Sequence, residues 1–599
     1  MKLLILLLLV ALFPVAGGMA HRNTKRSSLL ETKGATAAAA RTTTDNVVIS
    51  GQTAGATPFN AQIQLVVTPA DSLRTLRFTI SPKPGSVTRP ISATYTSEHM
   101  QDRGYLNTNT GTANVPVFGL YSGYANTVTL DFTFADGSSQ QEIVTVNTAA
   151  YTETCGYTTP TIVQARTNST SLSYDYILVK THCGMSATGP HIVDTDGQIR
   201  WLGTAPIGGY AYIFFDNSIF MASGPASAGR TATALTRLEF DGTFSQVADY
   251  AGMGVTWSGH HNYDPGKQGI LIEVDTTTQV ESVIHEIDEC GTILKTWNLA
   301  DIIRNTIIAG GENPASFVRN VSSPPSANDD WFHNNAVAYW KSDDSLIVSS
   351  RENFVICIDY NTGAIKWILG DTTKHWHDFQ SLRNYQLTLT PGSLPPIGQH
   401  AVSITNDNNL LLFDDGANSL HQTPAGTNRN YSAVRKYHID PQAKIATEVY
   451  TYLANPSLYS SFCSSVYEDA PGNYLVDYSL VGDFLGLDAA GNKIFHYKYR
   501  NCDASWNQVP IHLESLYFPG PNPATDPRGW QVNSFYRQGS KVVVNFRAMA
   551  GKTYRTEYKD SPTDASWQTV TDSAVNCTGF VAVTDTPATD HRVYRVREL

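Results

Sequence analysis
Three histidines, His261, His333 and His400, and one arginine, Arg351, are the residues of this chain best spaced to do chemistry. The clearest stretch is DDWFHNNAVAYWKSDDSLIVSSR, residues 329–351, which reads as a strand, a polar turn at 341–344 and a second strand ending at Ser350. Antiparallel pairing puts the start of the first strand and the end of the second at one sheet edge. His333 and Asn335 stand at that start and Arg351 just past that end. Two residues apart on an extended strand means one face, so His333 and Asn335 are expected to point the same way. A histidine, an amide and a guanidinium at one edge suit a compact oxyanion, because Arg presents a fixed fork of donors.

The same placement occurs three times. His261 precedes the turn DPGKQG, His333 precedes KSDD and His400 precedes TNDNN, so each opens the first strand of a hairpin. A neutral imidazole can attack electrophilic sulfur or phosphorus while neighbouring cations stabilise charge on the equatorial oxygens. A three-histidine zinc site is the rival arrangement. Arg351 would repel a dication, and no carboxylate occupies the shared strand position, so the expectation is no metal.

The elements that position these residues are β-strands. Six copies of one hairpin mark, an apolar residue, an acid, a small turn and a further strand, run through 193–203, 238–247, 285–297, 357–370, 437–450 and 486–499. Their uneven spacing of 45 to 80 residues is what a six-bladed β-propeller would show over 153–517. Each copy would be a blade's outer hairpin, with inner hairpins such as 211–223 and 464–479 ahead of most of them. Innermost strands line a propeller's channel, so the three histidines would converge at one mouth with Arg351 beside them. Ahead of this array, 46–152 alternates with turns about every ten residues and predicts a small immunoglobulin-like sandwich. After a Pro/Gly-rich linker at 518–530, residues 531–599 read as a separate small β module, and nothing in that module suggests chemistry. The fold expected is all-β.

Composition agrees with that class. Charged residues make up only 16% of the 599, against 41% apolar, with 30 Tyr, 44 Gly and 29 Pro. A net charge of −11 and the lack of a basic face argue against nucleic-acid binding. Residues 1–20 have a Lys, an apolar run and a small-residue end, the pattern of a secretory signal peptide, and 21–45 is a low-complexity linker. No later stretch is apolar enough to span a bilayer, so an exported protein, periplasmic or extracellular, is expected. Export permits disulfides; among seven cysteines, Cys155–Cys183 and Cys463–Cys502 are the pairings guessed.

The stretches DWFHNNAVAYW with LIVSSR, IDYNTGAIKWILGD, SGHHNYDPGKQGILIEVD and GQHAVSITNDNNLLLFDDG resemble the bacterial aryl-sulfate sulfotransferases, over about residues 45–515. The resemblance implies an exported six-bladed propeller that moves a sulfuryl group from a phenolic sulfate ester to a phenol by a ping-pong route. It implies no nucleotide sulfate donor, and no cofactor is expected. It makes His400 the nucleophile that is transiently sulfated, has His333, Asn335 and Arg351 hold the sulfate oxygens, and has His261 complete the pocket. Members of that family can be homodimers. The family usually has His-His followed by an acid, where this chain has His260-His261-Asn262. His261 lies nearest the turn and is favoured; His260 is the alternative, since adjacent strand residues face opposite ways. Two other functions fit the same residues less closely: a sulfate-ester hydrolase in which water intercepts the sulfated histidine, and a non-catalytic propeller that serves as a binding or scaffold module.

Overall fold
A computed structural model describes residues 46–599 except 154–155, 181–189, 206–210, 225–231, 260, 500–507, 523–525, 529–531 and 590–591. The expected signal peptide, the 21–45 linker and His260 therefore lie outside the described residues, as does the Cys155–Cys183 pairing.

Strands dominate, and they fall into three groups. At the N-terminus two sheets face each other across a shared core that includes Ile63, Leu65, Phe78, Ile80, Leu130 and Phe132. Strand alternation explains this layer: along Ala125–Phe134 the buried residues are every second one. The strand Leu516–Phe518 returns to add itself, in parallel, to Ile91–Thr96 at the edge of one of these sheets. The expected linker at 518 thus begins inside a strand.

Between residues 161 and 511 lie six sheets, nearly all antiparallel, that follow one another along the chain. Every one of the six marks in the sequence is a hairpin between neighbouring strands. The mark has a local cause. Asp194 Oδ1 accepts from the backbone N–H of Asp196 at 3.1 Å and of Gln198 at 2.9 Å. Asp288 Oδ1 does the same for Cys290 at 2.9 Å and Thr292 at 2.8 Å. The short side chain replaces a missing turn partner, and Gly197 and Gly291, at φ 81° and 77°, take the left-handed position that a Cβ disfavours.

The sheets pack face to face. Leu410 and Leu412 bury against Val355, Cys357 and Trp367 of the preceding sheet, while Leu411 and Phe413 bury against Val466, Val476 and Leu485 of the following one. Both faces of the strand Leu410–Asp414 are covered, which is why it reads as a continuous apolar run. Each such side chain contributes about 1.5–3 kcal/mol on burial. The first strands of the sheets, Tyr212–Phe215, Tyr263–Pro265, Asn334–Trp340, His400–Ile404 and Ser465–Glu468, touch in that order, and Ser465–Glu468 touches Val509–Ile511. That last strand pairs with Tyr176–Val179 of the first sheet, and Thr161–Gln164 pairs with Lys493–Lys498 of the sixth.

The third group is a pair of three-stranded sheets between 532 and 598, with their own small core around Val544, Phe546 and Tyr554. A disulfide between Cys290 and Cys577, 287 residues apart, ties this unit to an outer hairpin of the third sheet. The cysteine expectations need correction here. Cys463 is a buried free thiol, so it makes no bridge to Cys502. Spacing along the chain carries no information about which turns tertiary packing brings together. No helix among the described residues is long and apolar enough to cross a membrane.

Candidate active site
Three neighbouring inner strands deliver the histidines. His261 lies two residues before Tyr263–Pro265, His333 one before Asn334–Trp340, and His400 opens His400–Ile404. Their rings meet: the centroids of His261 and His333 are 5.2 Å apart, and those of His261 and His400 are 5.1 Å apart. The Nε2 atoms of His261 and His333 lie 3.1 Å from each other. Arg351 follows the strand Ser345–Ser350, and its backbone N–H donates to the His333 carbonyl at 3.0 Å.

The backbone here is bent away from ordinary strand geometry. Of nine non-glycine residues with positive φ among those described, five, Asp216, Asn217, Asp344, Asn408 and Lys444, lie in hairpin turns. The other four are Glu281, His333, Ala401 and Cys463, each a site residue or next to one. Such conformations cost roughly 1–3 kcal/mol each and persist where the surroundings enforce them, commonly at functional sites. Bulges at Asn334/Ala336 and at His400/Ser403 turn the first residues of two inner strands. Simple alternation between His333 and Asn335 is therefore broken. The Asn335 amide donates to the Gln399 carbonyl at 2.8 Å, clipping one inner strand to the next beside His400. Asn334 has both polar side-chain atoms buried without a hydrogen-bond partner.

Hydrogen bonds assign the proton positions. His400 Nδ1 lies 3.0 Å from the Gly398 carbonyl and 2.6 Å from Asp415 Oδ2. A carbonyl only accepts, so Nδ1 carries a hydrogen. The Cys463 backbone N–H points at His400 Nε2 from 3.3 Å, so Nε2 is an acceptor with a lone pair. His400 is fully buried, and burial raises the Asp415 carboxyl well above its ordinary range while Arg351 pulls it back.

His333 is in the opposite state. Its Nδ1 sits 2.5 Å from Asp330 Oδ2 and 3.0 Å from Glu281 Oε2. Burial alone would disfavour the charged ring, but the Asp330 and Glu281 carboxylates overcome it and hold the pKa well above the usual histidine value. An imidazolium has no lone pair, so His333 donates its Nε2–H to His261 Nε2. The His333 side chain is 16% exposed, and His261 and His400 are shut in behind it.

Arg351 is buried and anchored: Nη1 donates to Glu352 Oε1 at 2.6 Å, and Lys374 Nζ donates to the Arg351 carbonyl at 3.0 Å. Despite its burial, Glu352 stays below the ordinary glutamate range because of Arg351. Below His261 a second polar network joins Lys180, Asn262, Asp264 and Tyr467. Burial pushes the Lys180 ammonium down to about 7, against the pull of Asp264.

Sequence reasoning missed the partners. Carboxylates do reach the histidines, from outside the shared strand position: Asp330 three residues before His333, Asp415 at the end of the strand paired with His400, and Glu281 from another sheet. The Asp-Asp-Gly closing LLLFDDG opposite His400 was a usable signal for Asp415. Nothing local pointed to Glu281 or Cys463.

Residues 161–522 match the family model described as Arylsulfotransferase (ASST), and residues 57–149 match its Arylsulfotransferase Ig-like domain. The chain is 22% identical over 438 residues to the arylsulfate sulfotransferase AssT of Escherichia coli O6:H1, covering 56% of this chain and 70% of that protein. It is also 22% identical over 428 residues to AssT of Lelliottia amnigena, with the same coverage. Among solved structures, a europium-containing methanol dehydrogenase overlaps 72% of this chain and 80% of its own at 9% identity, but its TM-score of 0.27 carries no argument. With matched models over both the N-terminal sandwich and the six-sheet array that holds the three histidines, the chain belongs to the arylsulfotransferase family of enzymes.

Proposed function
We propose that this enzyme transfers a sulfuryl group from an aryl sulfate to a phenol through a sulfated His400. The observation that carries the reading is the state of His400: Nδ1–H held by Gly398 and Asp415, and Nε2 an unprotonated acceptor on a ring that packs against His261. Of the three rings, His333 is an imidazolium and His261 Nε2 accepts from that cation, whereas His400 Nε2 meets a neutral backbone N–H, that of Cys463 at 3.3 Å, which an incoming sulfur can displace.

In the first half, the Nε2 lone pair of His400 forms a bond to sulfur as the S–O bond to the aryl ring breaks, and that electron pair leaves on the aryl oxide. A phenol has a pKa near about 10, so its oxide leaves without full protonation. Arg351 and the His333 imidazolium hold the sulfuryl oxygens as charge builds on them, with Asn335 and Asn334 supplying amides at the same edge. The sulfated ring keeps its Nδ1–H and becomes cationic, and Asp415 stabilises that charge. In the second half the phenol oxygen attacks sulfur, the S–N bond breaks and its pair returns to Nε2. The phenol proton passes to a base, for which His261 Nε2 is the neighbouring lone pair once His333 turns its N–H from His261 to the sulfuryl oxygens.

Two features of the fold support a propeller that brings these groups to a central channel. The inner strands touch in series, and the first and sixth sheets each take a strand from the other end of the array, as ring closure requires. The Cys290–Cys577 bridge favours an oxidising, extracytoplasmic location.

The test is turnover of p-nitrophenyl sulfate with and without phenol, by the wild type and by His400→Asn. The reading expects p-nitrophenol release that phenol accelerates, with phenyl sulfate as product, and loss of both in the variant. Equal release without phenol would indicate hydrolysis, and rapid release by His400→Asn would remove His400 as nucleophile.

A further inference from the structure
The one free thiol at the site has no part in sulfuryl transfer, yet it lies among the histidines. One ligand atom each from His261, His400 and Cys463 lies within 4.8 Å of the others, and all three residues are buried. We propose that these residues form a site for a single soft divalent metal ion of the Zn2+ class, and that its occupancy shuts the enzyme off by taking His400 Nε2.

The donor set is of the right kind. Thiolate and imidazole are the ligands that select zinc and its relatives, and three protein ligands leave a fourth position for water. Tetrahedral zinc with bonds of about 2.0–2.3 Å needs ligand atoms about 3.5 Å apart, so side-chain rotation of about 1 Å closes the site. Asp415 fixes the His400 Nδ1–H at 2.6 Å, which leaves Nε2 unprotonated; a bound ion would take that lone pair from the Cys463 N–H and the His261 Nε2 lone pair from the His333 N–H, displacing two hydrogen bonds. A carboxylate behind a ligating histidine is the usual outer-shell arrangement, which orients the ring and raises its basicity. Cys463 is fixed next to that ring, since its own N–H points at Nε2 from 3.3 Å.

Two objections have answers in the geometry. Arg351 is a cation near the site, but it is paired with Glu352 at 2.6 Å, and Glu281 and Asp330 add two further carboxylates against the one charge on His333. The neighbouring group Glu281, Asp330 and His333 also has ligand atoms close together, but there the two carboxylates already hold a charged ring with no lone pair to offer. The cysteine group is therefore the one that can take a metal.

Sulfuryl transfer and metal binding would compete for one lone pair. The inhibition rests on the reading of His400 as nucleophile, whereas the binding site stands without it. The test uses the full-length protein stripped with a chelator and titrated with Co2+ and, by calorimetry, with Zn2+. One equivalent of Co2+ should give tetrahedral d–d absorption with a thiolate-to-cobalt charge-transfer band. The other described free thiol, Cys357, is buried in the apolar core between two sheets and should not contribute. Cys463→Ser should lose the charge-transfer band and weaken Zn2+ binding at least by the roughly 10- to 100-fold that loss of an outer-shell partner costs. His261→Asn should weaken binding while keeping the band, which covers the case in which Cys463→Ser folds poorly. In the wild type, p-nitrophenyl sulfate turnover should fall in step with occupancy and return with chelator. No thiolate band, or wild-type affinity in Cys463→Ser, would overturn the site. Stoichiometric binding with the band but undiminished turnover would overturn the competition for His400.

Discussion

Asp415→Asn tests the account of His400 closely, because the geometry sets both a floor and a ceiling on its effect. Asp415 Oδ2 accepts from His400 Nδ1 at 2.6 Å; burial raises its carboxyl, and a cationic sulfated ring beside it favours the ionised form that balances the ring's charge. Asparagine keeps the shape and can still accept through its carbonyl, but it carries no charge. A hydrogen bond to a charged group contributes about 1.5–3 kcal/mol. At about 1.36 kcal/mol per tenfold, the sulfation step should slow about 10- to 150-fold. In serine-protease triads the equivalent change costs about 10⁴-fold because the wrong tautomer forms. Here the Gly398 carbonyl, 3.0 Å from the same nitrogen, holds Nδ1–H without Asp415, so that larger loss should not appear. The assay is stopped-flow release of p-nitrophenol in the first turnover, with thermal unfolding to show that the variant is folded. A burst rate equal to the wild type would mean that Asp415 stabilises no charge. A loss near 10⁴-fold would mean that Gly398 does not set the tautomer.

Further outcomes follow from the other groups. Arg351→Lys replaces the fork by a point charge and should lower kcat about a hundredfold or more, with a smaller change in KM, in steady-state turnover of p-nitrophenyl sulfate. His333 acts as an imidazolium, and its folded pKa is raised by Asp330 and Glu281. Its contribution to stability is thus fully present below its unfolded value of about 6.5 and is lost as pH rises through the folded value. Activity should share that basic limb, and Asp330→Asn should move the limb of the kcat/KM profile to lower pH; an unmoved limb would show that another group titrates. Cys577→Ser should leave turnover intact while residues 532–598 become far more open to limited proteolysis, since the Cys290–Cys577 bridge is a covalent tie to the third sheet.

Much of this fold was legible in the sequence because its cause is local. The acid of each hairpin mark caps its own turn, as Asp194 and Asp288 do, so the mark and the turn are one physical fact. The histidines were legible for a similar reason: each sits at the start of a strand ahead of a recognisable turn. What surrounds them was not. Glu281 reaches His333 from 52 residues away and Cys463 meets His400 across 63, and in both cases a left-handed backbone conformation, which composition does not reveal, sets the approach. The bulge between Asn334 and Ala336, which breaks the alternation on which strand reasoning depends, was not visible in the sequence either.

Mass spectrometry of the enzyme after a brief reaction with p-nitrophenyl sulfate, with no acceptor present, tests the central claim most directly. The account predicts one added SO₃ group on the peptide that contains His400, labile to acid and discharged by phenol. An adduct on His261, His333 or Cys463, or full turnover with no adduct at any time point, would contradict it.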